Sequence, residues 1–117
     1  MNEKNYIVEA AVKALNAKKA IDLEVIDVSE LTNIADWFVL ASGTSNIHVK
    51  SLVDEVEAIV KQELGIDPKR VEGYPTAQWI LMDYGDVIVH VFHPEAREFY
   101  SLERLYSEGA RMQLEDK

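Results

Sequence analysis

"DYGDVIVHVFH", residues 83–93, decides the fold of this chain: two aspartates and two histidines are packed into eleven residues beside a run of apolar side chains. Such a run is either a metal or catalytic cluster or a strand of the core. In a strand, side chains alternate between faces. Val87, Val89, Val91 and His93 then point one way, and Asp86, Ile88, His90 and Phe92 the other. His90 and His93 are three apart, so a regular strand sends them to opposite faces and denies them a common metal. The H-E-x-x-H spacing of helical zinc sites is absent. The stretch reads as a β-branched strand with apolar residues on both faces. "QWILMDY" (78–84) precedes it across Gly85, which gives a tight antiparallel hairpin.

Working outward, "DWFVLAS" (36–42) is a second strand apolar on both faces and therefore central. "IDLEVIDV" (21–28) and "RVEG" (70–73) read as further strands. "SELTNIAD" between the first two is a polar turn, with Ser29 as the cap of a single helical turn. Residues 3–18 place Ile7, Ala10, Ala11, Ala14 and Leu15 on one stripe of a helix. A longer helix runs from about Ser45 to Leu64, with Ile47, Leu52, Val53, Val56, Ile59, Val60 and Leu64 on its inner face. Gly65 ends it. Pro94 suits the first turn of a last helix, "PEAREFYSLERLY", with a break near Ser101, and about 107–117 form a polar tail. The order α-β-β-α-β-β-β-α makes residues 1–117 a single α/β (α+β) domain. Its mixed sheet of about five strands has helices packed on it.

Composition narrows the function. The 117-residue chain has 48% hydrophobic and 28% charged residues, which suits one globular core. No apolar run approaches the roughly 20 residues that span a bilayer, and the N-terminus lacks the layout of a signal or transit peptide. The expected location is cytoplasmic, with no membrane partner. Without cysteine, disulfides, zinc–thiolate sites and thiol nucleophiles are excluded. Twelve Lys and Arg against twenty-one Asp and Glu leave a net charge of −9. Broad binding to nucleic-acid phosphate needs cationic surface, so an acidic chain suits a basic partner protein or simple solubility.

Two constellations invite chemistry. "SGTS" (42–45), between a strand and a helix, aims backbone N–H groups at a helix N-terminus, where an anion is favoured. With Asp83 and Asp86 it would make a nucleotide-handling, metal-dependent enzyme of nucleotidyltransferase type. That chemistry needs carboxylates paired on one strand face; here Asp86 is followed on its face by Ile88 and His90, and Asp83 lies across the turn. A helix cap is the simpler reading. A serine hydrolase lacks its G-x-S-x-G. The second constellation is the hairpin itself. Trp79, Leu81 and Asp83 share one face of their strand, and Ile80, Met82 and Tyr84 the other. One face packs on the core; the other is apolar enough to be an interface centred on aromatic anchors. Alternation alone leaves open which.

"ADWFVLASGTSNIHVKSLVDEVE", "VEG", "QWILMDYGDVIVHVF" and "AREFYSLERLY" together resemble the ribosomal silencing factor family, the iojap-related proteins of bacteria and organelles. The likeness covers nearly the whole chain, from about Ala20 to Tyr106 and more loosely the first helix. The chain departs from the family's usual pattern at Tyr106, where Trp is common, and at Gln78, where an acidic or small residue often stands. The resemblance implies a sheet related to the nucleotidyltransferase fold without its activity, so no enzyme, no cofactor and no metal. It implies binding to the free large ribosomal subunit through large-subunit ribosomal protein fourteen. Joining of the small subunit is thereby blocked and translation repressed when nutrients run low. It further implies a homodimer when free. Carried over to this chain, the contact surface centres on Trp79, Leu81, Asp83 and Tyr84, with His90, Arg97 and Tyr100 as further candidates.

Overall fold

A computed structural model describes residues 5–96. Arg97, Tyr100, the expected last helix beyond Ala96 and the polar tail lie outside the described residues. Helix α1 (Tyr6–Ala17) starts at Asn5, whose side chain accepts hydrogen bonds from the Ile7 and Val8 N–H groups at 3.0 and 3.1 Å. Its buried stripe is Ala10, Ala11, Ala14 and Leu15, as the periodicity predicts. Three alanines there let the helix lie close against its neighbours. Helix α2 (Asn46–Leu64) is capped by Ser45, whose hydroxyl accepts from the His48 N–H at 3.1 Å, and ends at Gly65, which donates to the Lys61 carbonyl. The buried residues of α2 are Val49, Leu52, Val53, Val56 and Val60. Ile47, expected on that inner face, is instead 81% exposed. Two residues before Val49, it sits about 200° around the helix from the buried stripe.

The strands are β1 (Ile21–Asp27), β2 (Trp37–Ser42), β3 (Arg70–Glu72), β4 (Trp79–Asp83) and β5 (Val87–Phe92). They form one mixed five-stranded sheet in the order β1-β2-β5-β4-β3. β2 and β5 pair in parallel; the other three pairs are antiparallel. The expected centrality of residues 36–42 and 86–93 is therefore observed, with β5 in the middle position. At the edge, β1 is irregular: its register with β2 shifts between Ile21 and Glu24, where Asp22 takes φ +52°.

The turn after β1 differs from its reading. Ser29 caps nothing; its N–H and its hydroxyl both donate to Asp27 Oδ1, at 2.9 and 2.7 Å. Asp27 is the acceptor that shapes this turn, and the Leu31 and Thr32 N–H groups close it on the Val28 carbonyl.

Both helices lie on one face of the sheet, above an aliphatic layer that includes Val39, Ala41, Ile80, Met82, Val87, Val89 and Val91. Lys13 on α1 pairs with Glu63 on α2 at the solvent side. A second cluster, Ile26, Val28, Ala35, Phe38, Leu40, Ile88 and Phe92, occupies the opposite face, with Trp79 and Leu81 packed against it. Among the described residues, no helix is long and apolar enough to cross a membrane.

Candidate docking face

The register of three strands builds the face that turns away from the helices. Across β5, Ile88 stands between Phe38 and Asp83, His90 between Leu40 and Leu81, and Phe92 between Ser42 and Trp79. Three rows of side chains thus cross the sheet, rich in aromatic rings at one end and charged at the other. This answers the question that alternation left open: Trp79, Leu81 and Asp83 share the face opposite the helices, and each is half-buried. Ile80 and Met82 are fully buried under the helices.

Three contacts among the described residues hold Trp79. Its indole Nε1–H donates to His90 Nδ1 at 3.0 Å. Its ring stacks on Phe92, with centroids 5.4 Å apart and planes inclined by 27°. Its backbone carbonyl approaches Gly73 so closely that a Cβ there would lie 2.2 Å from the oxygen. Gly73 also takes φ +86°, so its lack of a side chain serves both the turn and the approach. The loop that follows is tied to α2 through Tyr74, whose hydroxyl donates to Asp54 at 3.1 Å.

His90 is 3% exposed, with Phe38 meeting its ring edge-on at 4.6 Å. Burial pushes its pKa down to about 3, so the imidazole is neutral. An indole can only donate, so Nδ1 accepts and the ring proton resides on Nε2. Among the described residues, that buried Nε2–H has no hydrogen-bond partner. Asp83 is engaged within the hairpin. Its Oδ1 accepts from the Gly85 N–H at 2.8 Å, and its Oδ2 lies 3.4 Å from Arg70 Nε on the neighbouring strand. Gly85 completes the turn at φ +96°.

Tyr84 does not join the other three candidates. It lies on the helix side, 5% exposed, in the cluster with Val56 and Val60. Burial raises the pKa of its phenol, with Glu57 and Asp67 adding to the effect. One residue past Asp83, strand alternation takes it to the opposite face. His90 belongs to the face but sits beneath Trp79.

The rival nucleotide site is taken apart by the same geometry. The Gly43 N–H donates to the carbonyl of Phe92, at one end of β5, whereas the Asp86 carbonyl accepts from Asp36 and Trp37 at the other. The length of the strand, about 17 Å, separates the loop from the two aspartates. The Thr44 N–H is also engaged, donating to His48 Nδ1 at 2.9 Å, and the Ser45 hydroxyl accepts from the His48 N–H. It is a helix cap, further fixed by His48 Nε2–H donating to the Lys18 carbonyl at 2.7 Å. His93 is likewise separated from His90; its Nδ1 accepts from the Glu95 N–H in the turn after β5.

Phe38, Leu40, Phe92, Arg70 and Gly73 complete this arrangement and were not singled out from the sequence. The β2 residues join it only through a parallel register that local pattern does not disclose. The signal for Gly73 was available: a Gly–Tyr–Pro turn directly before an aromatic strand.

Comparison with known proteins places the chain. The family model described as "Ribosomal silencing factor during starvation" matches residues 1–117. The ribosomal silencing factor RsfS of Halalkalibacterium halodurans is 38% identical over 109 residues, covering 93% of this chain and 92% of that protein. A crystal structure of a Chromobacterium violaceum protein superposes with a TM-score of 0.85 at 36% identity, covering 91% of this chain and 88% of the other. A mouse protein named for mitochondrial assembly of the ribosomal large subunit is 32% identical over 86% of this chain, which spans 45% of its length.

Proposed function

The chain belongs to the ribosomal silencing factor family, and from that premise we propose that it is a ribosome-associated repressor of translation and not an enzyme. It acts in the cytoplasm by docking on the free large ribosomal subunit, through large-subunit ribosomal protein fourteen. The bound protein then excludes the small subunit by steric clash, which silences ribosomes under nutrient limitation. When free, it pairs with a second copy of itself.

The observation that carries this reading is the sheet face opposite the helices. It offers Trp79 and Leu81, both half-buried and flanked by the Asp83–Arg70 pair. Aromatic anchors in a sparsely charged centre with a charged rim are what a protein interface uses. Arg97 and Tyr100 remain candidates for the same surface. The net charge of −9 supports a basic protein as the landing site and disfavours adventitious binding to bare RNA.

The test is sedimentation of the purified protein with isolated large subunits and with assembled ribosomes. Co-sedimentation with large subunits alone is expected, and equal binding to both would refute the anti-association mechanism. Crosslinking from position 79 should reach the named ribosomal protein; a crosslink exclusively to RNA would move the partner.

A further inference from the structure

We propose that His90 is the positioning residue of the docking face: it fixes the orientation in which the Trp79 indole meets the partner, without touching the partner itself. The inference rests on the docking role of Trp79 and concerns what makes that role possible.

Three observations converge. First, the pairing of β4 with β5 sets Trp79 opposite Phe92 and Leu81 opposite His90, so Trp79 and His90 are diagonal neighbours within reach of a long side chain. Second, the imidazole is clamped before the indole reaches it. It is 3% exposed, lies edge-on to Phe38 at 4.6 Å and is nearly parallel to Phe92, at 11° with centroids 6.2 Å apart. A ring held this way presents Nδ1 in one direction, and the indole N–H meets it at 3.0 Å. Third, the rest of the imidazole does not explain its presence. Nε2–H is buried and has no acceptor among the described residues, which is unfavourable. For packing alone, an apolar side chain would serve better between Phe38 and Phe92. What histidine adds is Nδ1, and Nδ1 is engaged by Trp79.

The consequence concerns recognition. A tryptophan on a sheet surface has two freely rotating side-chain torsions and loses that freedom when a partner seats it. Here the hydrogen bond to His90 and the stack on Phe92 select one orientation in advance. Because the indole N–H is directed inward, the indole meets a partner through its apolar surface. His90 itself, covered in the folded protein, acts through Trp79.

The chain has two tryptophans, so nitrogen-15 labelling gives two indole N–H signals, and Trp79→Phe assigns the one from Trp79. Hydrogen exchange of that signal and affinity for isolated large subunits are measured for His90→Asn and His90→Leu. The asparagine carbonyl falls near the position of Nδ1 and keeps an acceptor; leucine removes it. The asparagine variant should retain slow exchange and near-normal affinity. The leucine variant should exchange and dissociate about tenfold faster while remaining folded, as expected for loss of one hydrogen bond. A folded leucine variant with a protected indole and unchanged affinity would overturn the proposal. Should leucine prevent folding, His90→Gln replaces it, since its carbonyl reaches past the Nδ1 position; protection in that variant would be equally fatal. Failure of the wild-type protein to bind large subunits would strike the docking function instead, while the exchange rates would still decide whether His90 orders Trp79.

Discussion

On β5, Val87, Val89 and Val91 turn toward the helices, while Ile88, His90 and Phe92 turn the other way. The same six residues thus serve two faces of different character. The helix face is mainly aliphatic, with Tyr84 buried in it, and is closed by α1 and α2. The opposite face is aromatic, carries a buried imidazole bonded to the Trp79 indole, and ends in an Asp–Arg pair. Under the proposed function, one face serves stability and the other recognition.

Four measurements would break or sharpen that division. The largest effect belongs to the helix face. Ile80→Ala removes a fully buried side chain and should lower unfolding stability in urea by about 2–5 kcal/mol. The protein that remains folded should bind large subunits as before. Next, Trp79→Ala should weaken that binding by about 2 kcal/mol or more if the indole is a hot spot. Unchanged affinity would move recognition elsewhere and dissolve the contrast.

The third measurement uses pH. The His90 pKa is pushed from 6.5 in the unfolded chain down to about 3 in the fold. The unfolded state therefore takes up the proton first. The stability linked to a neutral His90 is fully present above about pH 6.5 and is lost as pH falls toward 3, by at most roughly 1.4 kcal/mol per pH unit. Urea titrations at pH 7 and pH 5 should show the advantage of wild type over His90→Asn shrinking by up to about 2 kcal/mol. A constant difference would mean that the imidazole is not held neutral. The smallest effect returns to the helix side: breaking the exposed Lys13–Glu63 pair by Glu63→Ala should change stability by about 0.5 kcal/mol or less. Chemical denaturation with and without added salt would check that α1 and α2 are joined by packing and not by this contact.

Much of this architecture was legible beforehand, for identifiable reasons. Alternation in 78–93 gave the hairpin, its turn and the two sets of side chains, since period-two patterns are local. Helix ends were readable because Ser45 and Gly65 are residue types with a capping mechanism. Two misplacements were also local in origin. Ile47 was assigned inward because a helix stripe is wide, and only packing fixes its phase. Ser29 was taken as a cap where Asp27, two residues earlier, offers the stronger acceptor. The docking face was half legible. Trp79, Leu81 and Asp83 fell together by parity, but Phe38 and Leu40 enter through the β2–β5 register, which joins segments about fifty residues apart. The Trp79–His90 bond depended on knowing that diagonal. Tyr84 was carried into the contact surface by the family resemblance, although alternation had already set it on the other face, where it lies.

The central position of β5 has a consequence for how the molecule comes into being. In order of synthesis it is the last of the five strands, yet it alone joins β1–β2 to β4–β3. Pairing of Phe38 with Ile88 must wait for a long loop to close, which makes this the slow, non-local step of folding. The β4–β5 hairpin, by contrast, can close on itself through Gly85 within a few residues. A nascent chain stopped before Val87 therefore holds two unjoined halves and neither face. The surface proposed to meet a ribosome is assembled only once β5, the last of these strands, has been made.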